Sequence, residues 1–128
     1  MPVKGLGDYD DQNIFARILR DEIPSRRCYE DAWAVAFHDI APQAPIHVLV
    51  IPRGRYISAA DFATGASDAE IAGFWRAVAT VAKQLELEAP GYRLLTNIGE
   101  HAGQEVPHFH VHLFGGQPLG RMLERRGA

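Results

Sequence analysis

Three imidazoles alternate with apolar residues in Pro107-His108-Phe109-His110-Val111-His112-Leu113-Phe114. In an extended chain successive side chains point to opposite faces. His108, His110 and His112 therefore share one face, and Phe109, Val111 and Leu113 the other. The apolar set is what a strand under a helix needs; three rings in a row opposite it have little structural reason to be there. Neighbouring rings start ~7 Å apart, close enough to converge on one ligand. One possibility is a histidine-rich polar face with no task. A second is metal ligation, since imidazole is a common zinc ligand, although no Cys, Asp or Glu lies within the strand. The third is chemistry on phosphate, where a neutral imidazole attacks and its neighbours donate to phosphoryl oxygens or a leaving group. The residue types favour the third.

The preceding segment adds weight. Ile98 to Pro107 separates two expected strands by ten residues, longer than an ordinary hairpin loop. Gly99 and Gly103 would let backbone N–H groups approach an oxyanion closely, and Asn97 and Gln104 could add neutral donors.

The elements that must position these residues follow from periodicity. Ile14, Phe15, Ile18 and Leu19 recur at helical spacing and predict a short helix ending before Pro24. Cys28–Glu30 and Ala34–Phe37 read as two strands with a hairpin tip at Glu30-Asp31. Ile46–Ile51 is nearly continuous and β-branched, the pattern of a central strand ended by Pro52 and Gly54. Ser67-Asp68-Ala69-Glu70 has capping-box form and opens a long helix. Its expected apolar face is Ile71, Phe74, Trp75, Val78, Ala82 and Leu85. Tyr92–Asn97 and Phe109–Phe114 read as the last two strands. The fold class is therefore α+β: a five-stranded antiparallel sheet with one long and one short helix.

The 128 residues suit one domain with its own core. With 13 Lys+Arg against 16 Asp+Glu there is no basic excess for a nucleic-acid backbone. The single Cys28 cannot form an internal disulfide and suits a reducing compartment. The start of the chain lacks a signal-peptide pattern, and no apolar run approaches the ~20 residues of a membrane span. The composition predicts a cytoplasmic protein with neither nucleic-acid nor membrane partners.

The His108-x-His110-x-His112 block, followed by apolar residues, resembles the signature of the histidine triad (HIT) proteins. Further blocks resemble the Hint branch of that family: Phe37-His38-Asp39-Ile40-Ala41-Pro42-Gln43-Ala44-Pro45-Ile46-His47, Val50-Ile51-Pro52, Gly103-Gln104-Glu105-Val106 and Leu113-Phe114-Gly115-Gly116. The likeness runs from about Asn13 to Gly116. It implies a HIT domain over 13–116, a flexible leader over 1–12 and a tail over 117–128 near a dimer partner's active site. Two chains would pair into a ten-stranded sheet.

The implied activity is hydrolysis of P–N bonds in purine nucleoside 5′-phosphoramidates through a nucleotidyl-histidine. The alternatives are hydrolysis of dinucleoside polyphosphates, or a nucleotide-binding regulator with incidental turnover. By the resemblance His110 is the nucleophile, His112 and His108 orient it and donate to phosphoryl oxygens, and His47 supports the set. Asp39 would take the ribose hydroxyls. Ile14, Phe15, Ile18, Phe37, Ile40 and Leu49 would line the base pocket, with His38 beside it. Asn97, Gly103, Gln104, Glu105 and Val106 would surround the phosphate. Glu105 stands where animal Hint proteins have serine, so its backbone N–H is the expected contact. No metal or cofactor is implied. The tail, with Arg121, Met122 and Arg125, lacks the aromatic ending of animal members, which leaves the leaving group unassigned. His101 has no implied role.

Overall fold

The computed structural model describes residues 2–124. Its strands are β1 (Arg27–Glu30), β2 (Ala34–His38), β3 (Ile46–Pro52), β4 (Arg93–Leu95) and β5 (Val111–Gly115). They form one sheet in the order β1-β2-β3-β5-β4, with every neighbouring pair antiparallel. Three helices accompany it: α1 (Ile14–Leu19), α2 (Ala59–Gly65) and α3 (Asp68–Gln84). No helix among the described residues is long and apolar enough to cross a membrane.

Strand alternation divides the core between the two faces of the sheet. Ala34, Ala36, Val48, Val50, Val111 and Leu113 pack on one side with Phe74, Ala77, Val78, Val81 and Ala82 of α3. Val35, Phe37, Leu49 and Ile51 pack on the other with Phe15 and Ile18 of α1. The long helix starts where expected: Ser67 and Glu70 form both bonds of a capping box. Its buried stripe is set one step away from the expected one. Ala77 and Val81 are inside, whereas Trp75 is 43% exposed.

The sheet is trimmed relative to expectation. β4 covers only Arg93–Leu95, and β5 begins at Val111, so His108 and His110 lie in irregular chain leading into it. Asp31, Ala32 and Trp33 form the turn between β1 and β2, and Asp31 Oδ1 accepts from the N–H groups of Trp33 and Ala34. A second short helix, α2, adds to the one expected; Ser58 and Asp61 cap it. It places only Phe62 in the core, too little to give an apolar stripe in the sequence.

The leader has no regular secondary structure, yet it is tied to the body. Ser58 Oγ donates to the Gly5 carbonyl at 2.6 Å, and Arg55 pairs with Asp11 at 2.9 Å. Where it is described, the leader expected over residues 1–12 meets the domain as a strap at these contacts.

Candidate active site

The site occupies the sheet face opposite α3. Register sets His112 across from Leu49 and Phe114 across from His47, making His47 and His112 diagonal neighbours on that face. Their rings meet, with His47 Nε2 2.9 Å from His112 Nδ1. Phe114 packs against both, its centroid 4.2 Å from that of His47 and 5.7 Å from that of His112.

The hydrogen-bond network assigns the protons. The Gln43 backbone N–H donates to His47 Nδ1 at 3.1 Å, so that nitrogen carries a lone pair. The His47 proton is then on Nε2 and is donated to His112 Nδ1, with Asp39 Oδ2 3.5 Å from the same nitrogen. Neutral His112 therefore presents N–H at Nε2. Burial, reinforced by the neighbouring His110 and His47, lowers its pKa to about 4. Burial also lowers that of His47, against the opposing pull of Asp39.

The other two rings are arranged in the opposite sense. His108 is fully buried; its Nε2 lies 2.9 Å from the Pro52 carbonyl and must donate. Its Nδ1 accepts from the Tyr9 hydroxyl at 2.6 Å. Burial takes the His108 pKa down to about 4. The main-chain carbonyl of His108 accepts from His110 Nδ1 at 2.7 Å, which leaves the lone pair of neutral His110 on Nε2. Burial lowers the His110 pKa, opposed by the bond to that carbonyl and by the charges of Glu105 and Asp39. The Phe15 ring meets His110 edge-on at 4.9 Å, and Thr96 Oγ1 donates to the His110 carbonyl at 2.8 Å. The His110 and His112 ring centroids are 5.1 Å apart. A lone pair and an N–H therefore belong to neighbouring rings, a pair suited to nucleophilic attack with proton donation.

The remaining expected residues divide. Phe15, Ile18, Phe37 and Leu49 form one apolar cluster, with Val106 packed against it. Ile14 is 44% exposed and Ile40 99%, so within one chain neither is an enclosed pocket wall. Asp39 Oδ1 accepts from the Ala41 N–H, bracing its own turn, while Oδ2 faces His47. His38 pairs with Val48, whose side chain lies in the helix-side core, so alternation starts its side chain away from the histidine face. The Gln104 amide, expected near the phosphate, bonds to the protein's own backbone. Its Nε2 donates to the Ile57 and Val106 carbonyls, and its Oε1 accepts from the Gly99 N–H, so the buried amide braces the loop. Both ring nitrogens of His108 are likewise engaged by the protein, Nδ1 by the Tyr9 hydroxyl and Nε2 by the Pro52 carbonyl, while its own main-chain carbonyl holds His110. Gly103 has φ +72° in the exposed part of that loop, Glu105 is exposed, and Asn97 is half-buried. His101 is exposed there too. Arg121 and Met122 are exposed, and Arg125 lies outside the described residues.

Tyr9, Thr96, the Pro52 carbonyl and the Gln43 N–H complete the network without having been singled out in the sequence. Tyr9 and Thr96 carry polar hydroxyls, but nothing in their spacing links them to the histidines. Asp39, His47 and His112 also bring potential ligand atoms within 4.8 Å of one another. A cation there would have to displace the proton shared by the two imidazoles.

Residues 20–119 match the HIT domain family. The chain is 55% identical over 117 residues to an uncharacterized HIT-like protein of Azospirillum brasilense, covering 91% of this chain and 96% of the other. It is 41% identical to the purine nucleoside phosphoramidase of Escherichia coli, covering 91% and 98%. A HIT family hydrolase from Clostridium thermocellum superposes with TM-score 0.78 at 36% identity, over 89% of this chain and 99% of that one.

Proposed function

The chain belongs to the HIT family, and from that premise we propose that it hydrolyses purine nucleoside 5′-phosphoramidates with His110 as nucleophile. The observation that carries this reading is the bond from His110 Nδ1 to the His108 carbonyl, which reserves Nε2 as a lone pair beside the His112 N–H. The His110 lone pair attacks the α-phosphorus, a bond from phosphorus to imidazole forms, and the P–N bond to the amine breaks. His112 Nε2–H supplies the proton that the leaving nitrogen takes, which leaves the His47–His112 pair one proton short beside the cationic phosphoryl-imidazolium formed on His110. Water then attacks phosphorus, the phosphorus–imidazole bond breaks, and His112 recovers a proton from the water. Nucleoside monophosphate and free amine are the products. The covalent intermediate divides one difficult displacement into two easier ones.

In this reading the apolar cluster around Phe15, Ile18, Phe37 and Leu49 receives the base, while Ile14 and Ile40 gain cover from the bound nucleoside. Asp39 takes the ribose hydroxyls. Asn97 and the backbone at Gly103, Glu105 and Val106 approach the phosphate. A second copy pairs along the outer edge of β4, where Leu94 is 40% exposed, and extends the sheet to ten strands. Arg93 holds the Gly120 carbonyl at 2.8 Å beside that edge, so the tail starts next to the proposed partner.

The decisive experiment is rapid quench of the enzyme in alkaline denaturant during turnover of adenosine 5′-phosphoramidate, followed by mass spectrometry of its peptides without acidification. An acid-labile adenylyl group on the peptide containing His110 is the expected result. His110→Ala should retain AMP binding and lose turnover by at least about 10⁴-fold. Turnover surviving in that variant would refute the assignment.

A further inference from the structure

Tyr9 is the residue farthest in sequence from the chemistry that still touches its network, and the path leading to it is built. Gly5 passes so close to Ile98 that a Cβ there would come within 2.7 Å of the Ile98 Cγ2. Beyond it, the Arg55 guanidinium lies 5.3 Å from the centroid of the Tyr9 ring while its Nη2 pairs with Asp11. The phenol is thus held from the outside by a cation that is itself anchored to the strap. On the inside its ring meets His108 edge-on, with centroids 5.7 Å apart.

We propose that Tyr9 is a positioning residue for His110, acting through His108. The Pro52 carbonyl can only accept, so it demands N–H at His108 Nε2. His108 Nδ1 then needs a donor in a place where the ring has no solvent exposure, and the Tyr9 hydroxyl is that donor. With both nitrogens engaged, one rotamer and one tautomer of His108 are fixed. The carbonyl of the same residue holds His110 Nδ1–H and so decides which His110 nitrogen is left with a lone pair. Burial raises the Tyr9 pKa above the ordinary phenol value, so the hydroxyl is a donor throughout the neutral range as any phenol is. The sequence is hydroxyl, imidazole, main-chain carbonyl, nucleophile. Tyr9 touches neither substrate nor His110; it removes the alternatives open to the ring between them.

This inference rests on His110 being the nucleophile, and the test separates the two claims. The full-length protein and Tyr9→Phe are compared by ¹⁵N-resolved spectra of the histidine rings without ligand, then by turnover of adenosine 5′-phosphoramidate. In the parent, His108 should be the Nε2–H tautomer and His110 Nδ1–H should exchange slowly with water. In Tyr9→Phe the His110 Nδ1–H should exchange about tenfold faster and kcat should fall about tenfold, the consequence of one unpaired buried acceptor, with KM within about twofold. Arg55→Met keeps the hydroxyl but loosens its clamp, and should shift the same signals in the same direction by less. Unchanged ring spectra in folded Tyr9→Phe, or an Nδ1–H tautomer of His108 in the parent, would overturn the proposal. A loss of rate that tracks only the folded fraction would overturn it as well. If the parent does not turn over the phosphoramidate, the substrate reading fails while the ring spectra still judge Tyr9.

Discussion

The pair His108–His110 and the pair His47–His112 are built from one residue type on the side of the sheet opposite α3, yet they end in opposite hydrogen-bonding character. In the first, main-chain carbonyls of Pro52 and His108 take the imidazole protons, and the outward nitrogen of His110 is left with a lone pair. In the second, the Gln43 N–H donates into the pair, and the proton passed along it leaves N–H on the outward nitrogen of His112. A carbonyl at the root leaves an outward acceptor, and an amide N–H at the root leaves an outward donor. Identical side chains acquire different roles from the polarity of the backbone group that anchors them. No ion pair is needed to distinguish them, because a neutral imidazole always has one nitrogen of each kind.

The comparison breaks first at His112. His112→Ala should lower kcat for adenosine 5′-phosphoramidate by about 10² to 10³, the usual range for a lost acid–base partner, while AMP affinity changes by less than about tenfold. A loss confined to KM would make His112 a binding group and remove the asymmetry. The next effect is on stability and belongs to the first pair. The pKa of His108 is about 4 in the folded protein, against an ordinary imidazole value near 6.5. The unfolded chain therefore binds more protons between those values, and stability falls as the pH drops through that window. The contribution, on the order of 3 kcal/mol, is complete above about pH 6.5 and gone below about pH 4. Urea midpoints measured from about pH 7 to about pH 4 should fall steeply in the parent and less in His108→Gln. The smallest effect is at His47. His47→Ala removes the donor that sets the His112 tautomer but leaves the His112 ring in place, so a loss of about tenfold in kcat is expected. A loss as large as that of His112→Ala would give His47 a part in the chemistry itself.

What the sequence discloses and what it hides follow the same division. Period-two alternation identifies which side chains share a face, and this is why Phe109, Val111 and Leu113 join the core beneath α3 while the three histidines lie on the other side. The capping box at Ser67 likewise states where α3 begins. Trp75 enters the expected stripe because it is apolar, but the smaller Ala77 and Val81 are the residues that α3 turns toward the sheet. Alternation also assigns faces without assigning partners. Gln104 is polar and close to the triad in sequence, which suits a ligand contact, but its amide bonds to two backbone groups of its own loop and to the Ile57 carbonyl before α2. His108 matches the pattern of its two neighbours and yet is sealed by Tyr9 and Pro52. Bonds between residues far apart in sequence leave no trace in residue spacing, so Tyr9, which donates to the His108 ring, and Thr96, which donates to the His110 carbonyl, are silent until the chain is folded.

The bonds that assemble this network connect residues far apart along the chain. Pro52 reaches His108 across 56 positions, His47 reaches His112 across 65, and Tyr9 reaches His108 across 99. Each is a large ring closed through space, and all three close on the same few residues. A proteolytic fragment that has lost either flank keeps a histidine-rich segment but not the constraint on where its protons sit. Half-molecules of this protein would carry the signature without the reactivity.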